Sequence, residues 1–433
     1  MFIKQLELNN YRMFKTLNIS FQDKMNVLVG RNGSGKSTVL EALSLSLSAY
    51  IAGLNGYKLK KFGAHDAHNQ AFDMGSVLDI QPQFPVNIKT TGTIDGRDIE
   101  WNRIWEKPDK TTSGVKGTES LREYMNSVQQ RVSQGDKNMI LPVVAYYDTK
   151  RLWGTDTKDK KDDLINFTRL DGYKDALNAP LNNNNIKQWF KKMAVQDSLR
   201  GSLSLEYAAV RKAIELFYSG LTGSKAVNVK YNIDTNDIDI FYTDEQDEKK
   251  ADSMSSLSDG YRCAISLIAD IAYRMAILNP QLLDKVLDKV DGVVLIDEVD
   301  LHLHPAWQQR ILGDLMAIFP KVQFVVTTHA PIIINSVNSE NLIILEDGEA
   351  TYPAGEVYGK DVNTIIRGVM GTVERPVSIK KMFDDFYVAL ANDKIDSAKK
   401  ILDELESKIG NDDADLAACR VKIKLKLMRE GKK

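Results

Sequence analysis

The feature that most constrains this chain is a glycine-rich loop near its start. Residues 30–37 read Gly-Arg-Asn-Gly-Ser-Gly-Lys-Ser and match the pattern G-x-x-x-x-G-K-[ST] at every fixed position. The short apolar run at 26–29 predicts a strand before the loop, and apolar residues over 38–50 recur with helical spacing after it. Between a strand and a helix, such a loop wraps its backbone N–H groups around phosphate.

The loop residues have distinct predicted roles toward a bound nucleotide. Lys36 would neutralise charge on the β- and γ-phosphates, and the Ser37 hydroxyl would ligate Mg²⁺. The loop residues that we predict to bind nucleotide are Arg31, Asn32, Gly33, Ser34, Gly35, Lys36, Ser37 and Thr38. The predicted substrate is therefore ATP, with Mg²⁺ as its cofactor.

An acidic pair follows a second apolar strand, 293–296. Asp297 would hold Mg²⁺, usually through water, and Glu298 would polarise the attacking water. An acidic pair at a strand end is weak evidence alone, but it becomes strong beside a phosphate loop. After the next strand, 323–326, His329 occupies a position from which it can sense a γ-phosphate. We therefore predict Lys36, Glu298 and His329 as the catalytic residues.

Composition narrows the function classes. The chain has 433 residues, with 57 basic and 59 acidic side chains and a net charge of −2, which argues against coating nucleic acid by charge alone. A basic run at 420–429 still allows local contact with phosphate or an acidic partner. Only Cys263 and Cys419 are present, so we expect neither a disulfide framework nor a Cys-based zinc site, and we expect a cytoplasmic location. We also expect no signal peptide and no membrane span.

The predicted secondary structure differs between the segments of the chain. Alternating residues predict strands at 76–80 and 87–105, with a hairpin turn at Asp95-Gly96, and a second hairpin at 227–242. Residues 245–252 are predicted as a charged linker, and the chain is predicted to be helical from 378, with Gly410 as a helix C-cap. We predict one nucleotide-binding domain, here called the head, that is interrupted in sequence. Its first part is 1–52 and its second part 256–372. Between them lie a β-rich and helical insertion (53–140) and a helical lobe with a hairpin (141–255), and a helical tail follows (373–433).

The order of these elements resembles the ABC-type ATPases, and the details resemble their RecF/SMC/OLD branch. The stretches that carry the resemblance are Leu8-Asn-Asn-Tyr-Arg-Met-Phe14, Arg31-Asn32, Leu257-Ser-Asp-Gly-Tyr-Arg262 and Glu298-Val-Asp-Leu-His-Leu-His-Pro305. The resemblance implies an α/β fold: an ABC-type P-loop ATPase head with an N-terminal antiparallel β-subdomain, an inserted α+β lobe and a C-terminal helical tail. It also adds Arg12 to the predicted nucleotide-binding residues.

The same resemblance implies that nucleotide is bound between two heads, as a homodimer or a higher oligomer. Ser258 and Gly260 would contact the γ-phosphate held by the second subunit, and Asp300 would be the D-loop acid across that interface. His329 would be the H-loop residue.

Two regions depart from the common pattern of the family. The Q-loop region, which follows the strand at 143–147, contains no Gln, and Asp148 or Arg151 would take its role. In the signature, Asp259 replaces a Gly and Tyr261 a Gln, so a carboxylate lies near the predicted trans site. His302 and His304 are spaced so that they could share a metal, but we interpret them as structural.

The insertion and the C-terminal segment distinguish among the subfamilies of this branch. The insertion lacks heptads, which excludes coiled-coil arms, and the segment after His329 lacks the Asp-x-Asp of a Toprim nuclease. What remains resembles the PtuA family, the ATPases of Septu anti-phage systems, which also accompany retrons. The carriers are 142–151, Arg169 with 173–190, and the tail after Arg375-Pro376. This resemblance implies an associated HNH nuclease resembling PtuB, with nucleic acid as a possible further ligand.

Two alternatives stay open. The first is a RecF-like ATPase that binds DNA in repair without a nuclease partner. The second is a nucleotide-dependent scaffold that does not hydrolyse ATP, since Asp259 and the missing Gln both weaken the catalytic pattern.

Overall fold

A computed structural model describes residues 1–54, 56–75, 77–107, 117–149, 168–177, 183–201, 204–371 and 375–429. The chain divides into two compact units, Met1–Asp361 and Val362–Lys433. The described strands are β1 (Phe2–Tyr11), β2 (Phe14–Ser20), β3 (Met25–Val29), β4 (Asn69–Asp73), β5 (Leu78–Pro82), β6 (Val86–Ile94), β7 (Arg97–Trp105), β8 (Val143–Tyr147), β9 (Lys225–Asn232), β10 (Asp237–Thr243), β11 (Lys249–Ser253), β12 (Gly292–Ile296), β13 (Val322–Thr327), β14 (Leu342–Glu346) and β15 (Glu349–Thr351).

The described helices are α1 (Lys36–Ala52), α2 (Glu119–Ser133), α3 (Asn183–Arg200), α4 (Leu205–Thr222), α5 (Asp259–Leu278), α6 (Val286–Lys289), α7 (Pro305–Gln308), α8 (Ile311–Ile318), α9 (Pro331–Ile334), α10 (Val362–Gly368), α11 (Val377–Ala391), α12 (Ile395–Ile409) and α13 (Ala414–Arg429). Within the part of the chain that the structure describes, no helix has the length and apolar character needed to cross a membrane.

A six-stranded sheet forms the centre of the first unit, in the order β15-β14-β3-β13-β12-β8. Neighbouring strands from β14 to β8 are parallel, and β15 pairs antiparallel at the edge. Every residue of β3, β8, β12 and β13 is buried, which explains why these strands read as continuous apolar runs rather than alternating ones. The P-loop ATPase fold class predicted from sequence is confirmed.

The other sheets of the first unit are antiparallel. A four-stranded sheet has the order β2-β1-β6-β7, and a three-stranded sheet the order β11-β10-β9. The Asp95-Gly96 turn joins β6 to β7 with positive φ at both residues, as a tight hairpin requires. The turn at Asp347-Gly348 likewise joins β14 to β15.

One local prediction was wrong. The charged linker predicted at 245–252 contains the start of β11, a largely exposed edge strand whose Lys250 pairs with Tyr242 of β10. An edge strand with no buried face has no apolar alternation to reveal it. The strand predicted at 76–80 is confirmed in part as β5, which begins at Leu78 and pairs antiparallel with β4.

The second unit is helical, as predicted for the tail. Apolar side chains of α11, α12 and α13 form a core of their own; its most deeply buried members are Phe386, Ala398, Leu405, Leu416 and Cys419. Gly410 ends α12 with φ of 85°, which confirms it as the C-cap.

Candidate active site

Most of the predicted catalytic and metal-binding residues meet at one edge of the central sheet. Because β3, β13, β12 and β8 are parallel, their carboxyl ends point the same way. Ile296 pairs with both Tyr147 and Val326, so the residues that follow these three strands emerge side by side. The phosphate loop follows β3 at the same edge. Sheet topology therefore brings together motifs that are almost 300 residues apart in sequence.

The phosphate loop needs glycine at two positions for different physical reasons. Gly35 has φ of 96°, and a Cβ there would lie 2.3 Å from the ring of Phe14, so any side chain would collide. Gly33 also has positive φ, but a Cβ there would meet no atom within 4 Å, so the loop is open on this side. Gly35 is also the N-cap of α1 and offers no side chain to its first turn, which leaves the N–H groups of that turn for an anion.

Lys36 is held inside the loop. Its Nζ donates to the carbonyl oxygens of Gly30, at 2.9 Å, and Arg31, at 3.0 Å, and the residue is only 6% exposed. Burial lowers the pKa of Lys36, while the charges of Asp297 and Glu298 act in the opposite direction. An ammonium group in this setting has weak competition from water, so it is suited to pair with a phosphate.

The loop also fits the triphosphate and its metal by its donor set. The Ser34 hydroxyl is buried and has no hydrogen-bond partner among the residues that the structure describes, so it is left to bond a ligand. Ser37 is exposed on the first turn of α1, and Asp297 is 5% exposed at the end of β12. A hydroxyl and a carboxylate are hard oxygen ligands of the kind that Mg²⁺ prefers.

Thr327 fixes both predicted carboxylates, and it was not among the predicted site residues. Its hydroxyl donates to Asp297 Oδ1 at 2.5 Å and accepts from the backbone N–H of Glu298 at 2.7 Å. Glu298 itself has φ of 46°, a left-handed conformation that costs about 1 kcal/mol for a residue with a side chain. The bond from Thr327 helps to hold that backbone, so it orients the Glu298 side chain indirectly.

Thr328, the residue after Thr327, also makes two hydrogen bonds through its hydroxyl. Thr328 donates to Asp300 Oδ1 at 2.6 Å, and its hydroxyl accepts the N–H of Ala330 at 3.0 Å. His329 lies between these residues and is half-buried. Burial and then the charge of Lys36 lower the pKa of His329, against opposing effects of Asp300, Glu298 and Asp297. The imidazole is therefore neutral at pH 7 and has one N–H to donate.

Arg12 is anchored beside the loop rather than pointing freely into it. Its guanidinium pairs with Glu41 of α1 and donates from Nε to Asp66 Oδ1 at 2.8 Å. These two carboxylates also help to raise the pKa of Arg12, against the effect of burial. The predicted contact of Arg12 with nucleotide stays a prediction, because the resting partners of this side chain are carboxylates.

The Q-loop region is described in part. Asp148 directly follows β8, and its charge is felt by Tyr146 and by Lys60 at the same edge. Tyr147 accepts the N–H of Asp297 at its carbonyl, and its hydroxyl donates to Asp270 of α5 at 2.7 Å. Arg151 lies outside the described residues.

The signature residues lie at the start of α5. Ser258 is the exposed N-cap residue, and Asp259 pairs with Arg262 one turn further on. A contact within the same subunit already requires glycine at position 260, because a Cβ there would lie 2.4 Å from the carbonyl oxygen of His302. The ring of Tyr261 packs on Trp307 with centroids 4.2 Å apart. The departures from the family pattern are thus accommodated by local partners.

The D-loop histidines have separate environments. His304 is the N-cap of α7, and its Nδ1 accepts the N–H of Ala306 at 3.3 Å. His302 has φ of 62° and contributes the carbonyl against which Gly260 packs. Both observations agree with structural roles.

A phosphate loop between β3 and α1, with an acidic pair and a histidine on the neighbouring parallel strands, defines a P-loop nucleotide-binding ATPase. Residues 1–334 match the family model described as AAA ATPase domain (AAA_15). The chain belongs to this family.

Relatives extend the similarity over most of the chain. A retron Vc95 probable ATPase of Vibrio cholerae serotype O1 biovar El Tor is 26% identical over 87% of this chain and 80% of its own. A retron Ec83 probable ATPase of Escherichia coli is 25% identical over 99% of this chain and 88% of its own. The Septu protein PtuA of Bacillus thuringiensis is 25% identical over 93% and 89%. The predicted resemblance to PtuA and retron ATPases is confirmed.

Two further matches are more limited. The DNA replication and repair protein RecF of Bacillus cytotoxicus (strain DSM 22905 / CIP 110041 / 391-98 / NVH 391-98) is 49% identical, but over 43 residues that make up 10% of this chain and 12% of its own. Among solved structures, the SMC head domain of Thermotoga maritima matches 82% of this chain and 100% of its own, with 15% identity and a TM-score of 0.42.

Proposed function

We propose that this protein binds and hydrolyses ATP as the sensor and regulator of an anti-phage defence complex in the cytoplasm. The observation that carries the ATPase part is the meeting of Lys36, Asp297, Glu298 and His329 at one sheet edge. The defence part is supported by the retron ATPases and the Septu protein PtuA, which are similar over most of the chain.

Each residue of the site has its own role in ATP binding or hydrolysis. The loop N–H groups and Lys36 bind the phosphates, and Glu298 accepts a proton from the water that attacks the γ-phosphate. Neutral His329 donates an N–H to the γ-phosphate as negative charge moves toward the leaving oxygen. Mg²⁺, held by Ser37 and Asp297, would neutralise charge on the phosphate oxygens when bound.

Nucleotide would also join two heads. Ser258 is exposed at the start of α5, a 20-residue helix whose N-terminal dipole favours an anion from a second subunit. The Asp259 carboxylate, which would oppose that anion, is paired with Arg262. Head closure and opening would be transmitted to an HNH nuclease of the PtuB kind, with nucleic acid as a second possible ligand.

The defence role is tested in a plaque assay. Lys36→Ala should abolish protection when the neighbouring open reading frame is present, because the phosphate loop loses its cation. Lys58→Ala, which removes an exposed lysine outside the loop, is the matched control and should protect normally. Full protection by Lys36→Ala would remove ATP from the mechanism.

Head pairing is tested by light scattering with and without ATP. Ser258→Arg should block the ATP-dependent increase in mass, because the long side chain would fill the predicted trans site. Ser256→Arg is the control, since Ser256 is also exposed but its hydroxyl donates to Ser253 O within the preceding turn. An unchanged ATP response of Ser258→Arg would contradict the trans assignment.

A RecF-like role in DNA repair is the second candidate, because the RecF match is nearly twice as high in identity where it occurs. That match spans only 43 residues, whereas the retron Ec83 probable ATPase matches 99% of the chain. Stimulation of ATP turnover by double-stranded DNA, with no co-purifying protein, would favour the repair role.

A further inference from the structure

A buried chain of polar side chains joins helix α5 to strand β8. The hydroxyl of Tyr147, the last residue of β8, donates to Asp270 Oδ2 of α5 at 2.7 Å. Arg274, one turn further along α5, donates from Nε to the same oxygen at 2.7 Å. All three residues are buried. A polar chain in a core that apolar side chains could fill indicates a need for defined geometry.

The ion pair within this chain does not depend on the tyrosine. Asp270 and Arg274 lie four residues apart on α5, where successive turns bring side chains together. Nη1 of Arg274 also donates to Gly172 O at 3.0 Å and to Lys174 O at 2.9 Å. The two charges therefore compensate each other within α5. The hydroxyl of Tyr147 adds a directional contact between two elements and neutralises no charge.

Tyr147 also contacts the predicted metal-binding carboxylate residue through its backbone. Its carbonyl oxygen accepts the N–H of Asp297 at 2.8 Å, where β8 and β12 end side by side. Thr327 of β13, the strand on the other side of β12, donates to the Asp297 carboxylate. Asp297 is thus held from both neighbouring strands, by Thr327 at its side chain and by Tyr147 at its N–H.

The end of β8 leads directly into the Q-loop region. Successive residues of a strand point to opposite faces, and Tyr146 accordingly faces Lys60, whose Nζ lies 5.5 Å from its ring centroid. Tyr147 faces α5, and the next residue is Asp148, which is predicted to act in place of the missing Gln. The hydroxyl bond of Tyr147 therefore fixes β8 against α5 just before the chain leaves the sheet.

Helix α5 gives that bond a rigid support. Every residue from Cys263 to Leu278 is buried, so the helix is packed on all sides over four turns. Its last carbonyl is also bound, because Arg169 donates from Nε to Leu278 O at 2.8 Å. A contact at Asp270 therefore ties the end of β8 to an element that has little freedom to move.

We propose that Tyr147 is a positioning residue for ATP hydrolysis, whose hydroxyl holds the end of β8 on α5 and so places Asp297 and Asp148 beside the phosphate loop. This role rests on the proposed function, since it gives Tyr147 a task within the same site. The hydroxyl is taken up by Asp270, so Tyr147 acts through its neighbours. Loss of the hydroxyl should slow hydrolysis more than it weakens ATP binding.

Tyr147→Phe tests this role in the full-length protein, because it keeps the ring and removes only the hydroxyl. Turnover at saturating ATP and Mg²⁺ should fall about tenfold, while KM for ATP changes no more than about threefold. Tyr173→Phe is the matched control, since the Tyr173 hydroxyl is also buried and donates to Pro142 O at 2.8 Å, before β8 begins. The control loses a buried bond as well, yet its turnover should stay within about twofold of the wild type.

A binding measurement provides a readout that does not depend on turnover. The affinity for a fluorescent ATP analogue is measured with Mg²⁺ and with EDTA. In Tyr147→Phe the affinity in EDTA should be unchanged, because the phosphate loop is intact. With Mg²⁺ it should fall about two- to threefold, because Asp297 is less well placed. Weaker binding in EDTA would locate the effect in the phosphate loop and overturn the proposal.

A double-variant cycle with Asp270→Asn tests whether the hydroxyl acts through α5. Asparagine keeps an acceptor oxygen without the charge, so Tyr147→Phe should slow turnover less in this background than in the wild type. Equal effects in both backgrounds would overturn the proposal. So would turnover of Tyr147→Phe within about twofold of the wild type, or an equal loss in Tyr173→Phe; these single variants decide the matter if Asp270→Asn does not fold.

Glu298→Gln in the same assay distinguishes two kinds of failure. If Glu298→Gln is inactive and Tyr147→Phe is normal, the positioning role is wrong and the proposed function stands. If Glu298→Gln turns over ATP like the wild type, the proposed function is wrong, and the positioning role that rests on it is wrong as well.

Discussion

Replacing Thr327 with valine is predicted to reduce ATP turnover while leaving ATP binding nearly intact. The residue is fully buried, and its hydroxyl joins Asp297 to the backbone of Glu298 at 2.5 and 2.7 Å. Valine keeps the shape of the side chain and removes both hydrogen bonds. The phosphate loop, which provides most of the predicted binding contacts, is unchanged by the substitution.

The magnitude follows from the two lost bonds. A hydrogen bond to a charged group contributes about 1.5 to 3 kcal/mol, and an unsatisfied N–H costs about 1 to 3 kcal/mol. Glu298 is only partly buried, so water recovers some of the second cost. If about 2 to 3 kcal/mol of the lost hydrogen-bond free energy raises the activation barrier, because the carboxylates are misplaced, turnover falls about 30- to 160-fold.

The assay compares phosphate release at saturating ATP with binding of a fluorescent ATP analogue. Thr327→Ser is the matched control, because it retains the hydroxyl and loses only a methyl group. The serine variant should turn over ATP much faster than the valine variant, with similar binding in both. Valine and serine variants within about twofold of each other in turnover would refute the role of the hydroxyl.

Three further predictions concern stability. Gly260→Ala should lower the free energy of unfolding by about 1 to 3 kcal/mol, because its Cβ would lie 2.4 Å from a carbonyl oxygen, whereas Gly313→Ala has open space and should not destabilise; urea unfolding distinguishes them. The pKa of His329 lies below its ordinary 6.5, so the unfolded chain binds its proton first as pH falls, and stability should decrease below pH 6.5 in the wild type more than in His329→Gln. A similar pH dependence in both would contradict this assignment. Asp270→Leu should cost about 3 to 5 kcal/mol by leaving the buried Arg274 without its carboxylate, and a double variant that also replaces Arg274 with Met should recover part of the loss. No recovery in the double variant would show that the ion pair is not the cause.

Local motifs explain why much of the site was predictable. The loop around Lys36 and the strand before Asp297 each specify their chemistry within about ten consecutive residues. Parallel pairing then leaves little freedom for the positions of these motifs, because β3, β12 and β13 are buried along their whole length. The sheet edge that collects these motifs follows from the α/β class alone.

Contacts between distant segments explain what was missed. The bonds of Thr327 depend on the register of β12 against β13, which no local pattern encodes. The need for glycine at 260 comes from a carbonyl 42 residues later, at His302. The pairing of β4 with β5 was missed because β4 is short, largely exposed and without alternation. In each case the signal lies in tertiary contact rather than in sequence period.

We predict that Glu298 activates water for hydrolysis at the edge where Lys36 binds phosphate. The most direct test measures ATP binding and ATP turnover together in Glu298→Gln, which keeps the size of the side chain and one acceptor oxygen and removes its basicity. We expect ATP binding to be retained and ATP turnover to fall by at least about a hundredfold. Turnover equal to that of the wild type, with binding intact, would contradict it and would favour a scaffold that does not depend on this carboxylate.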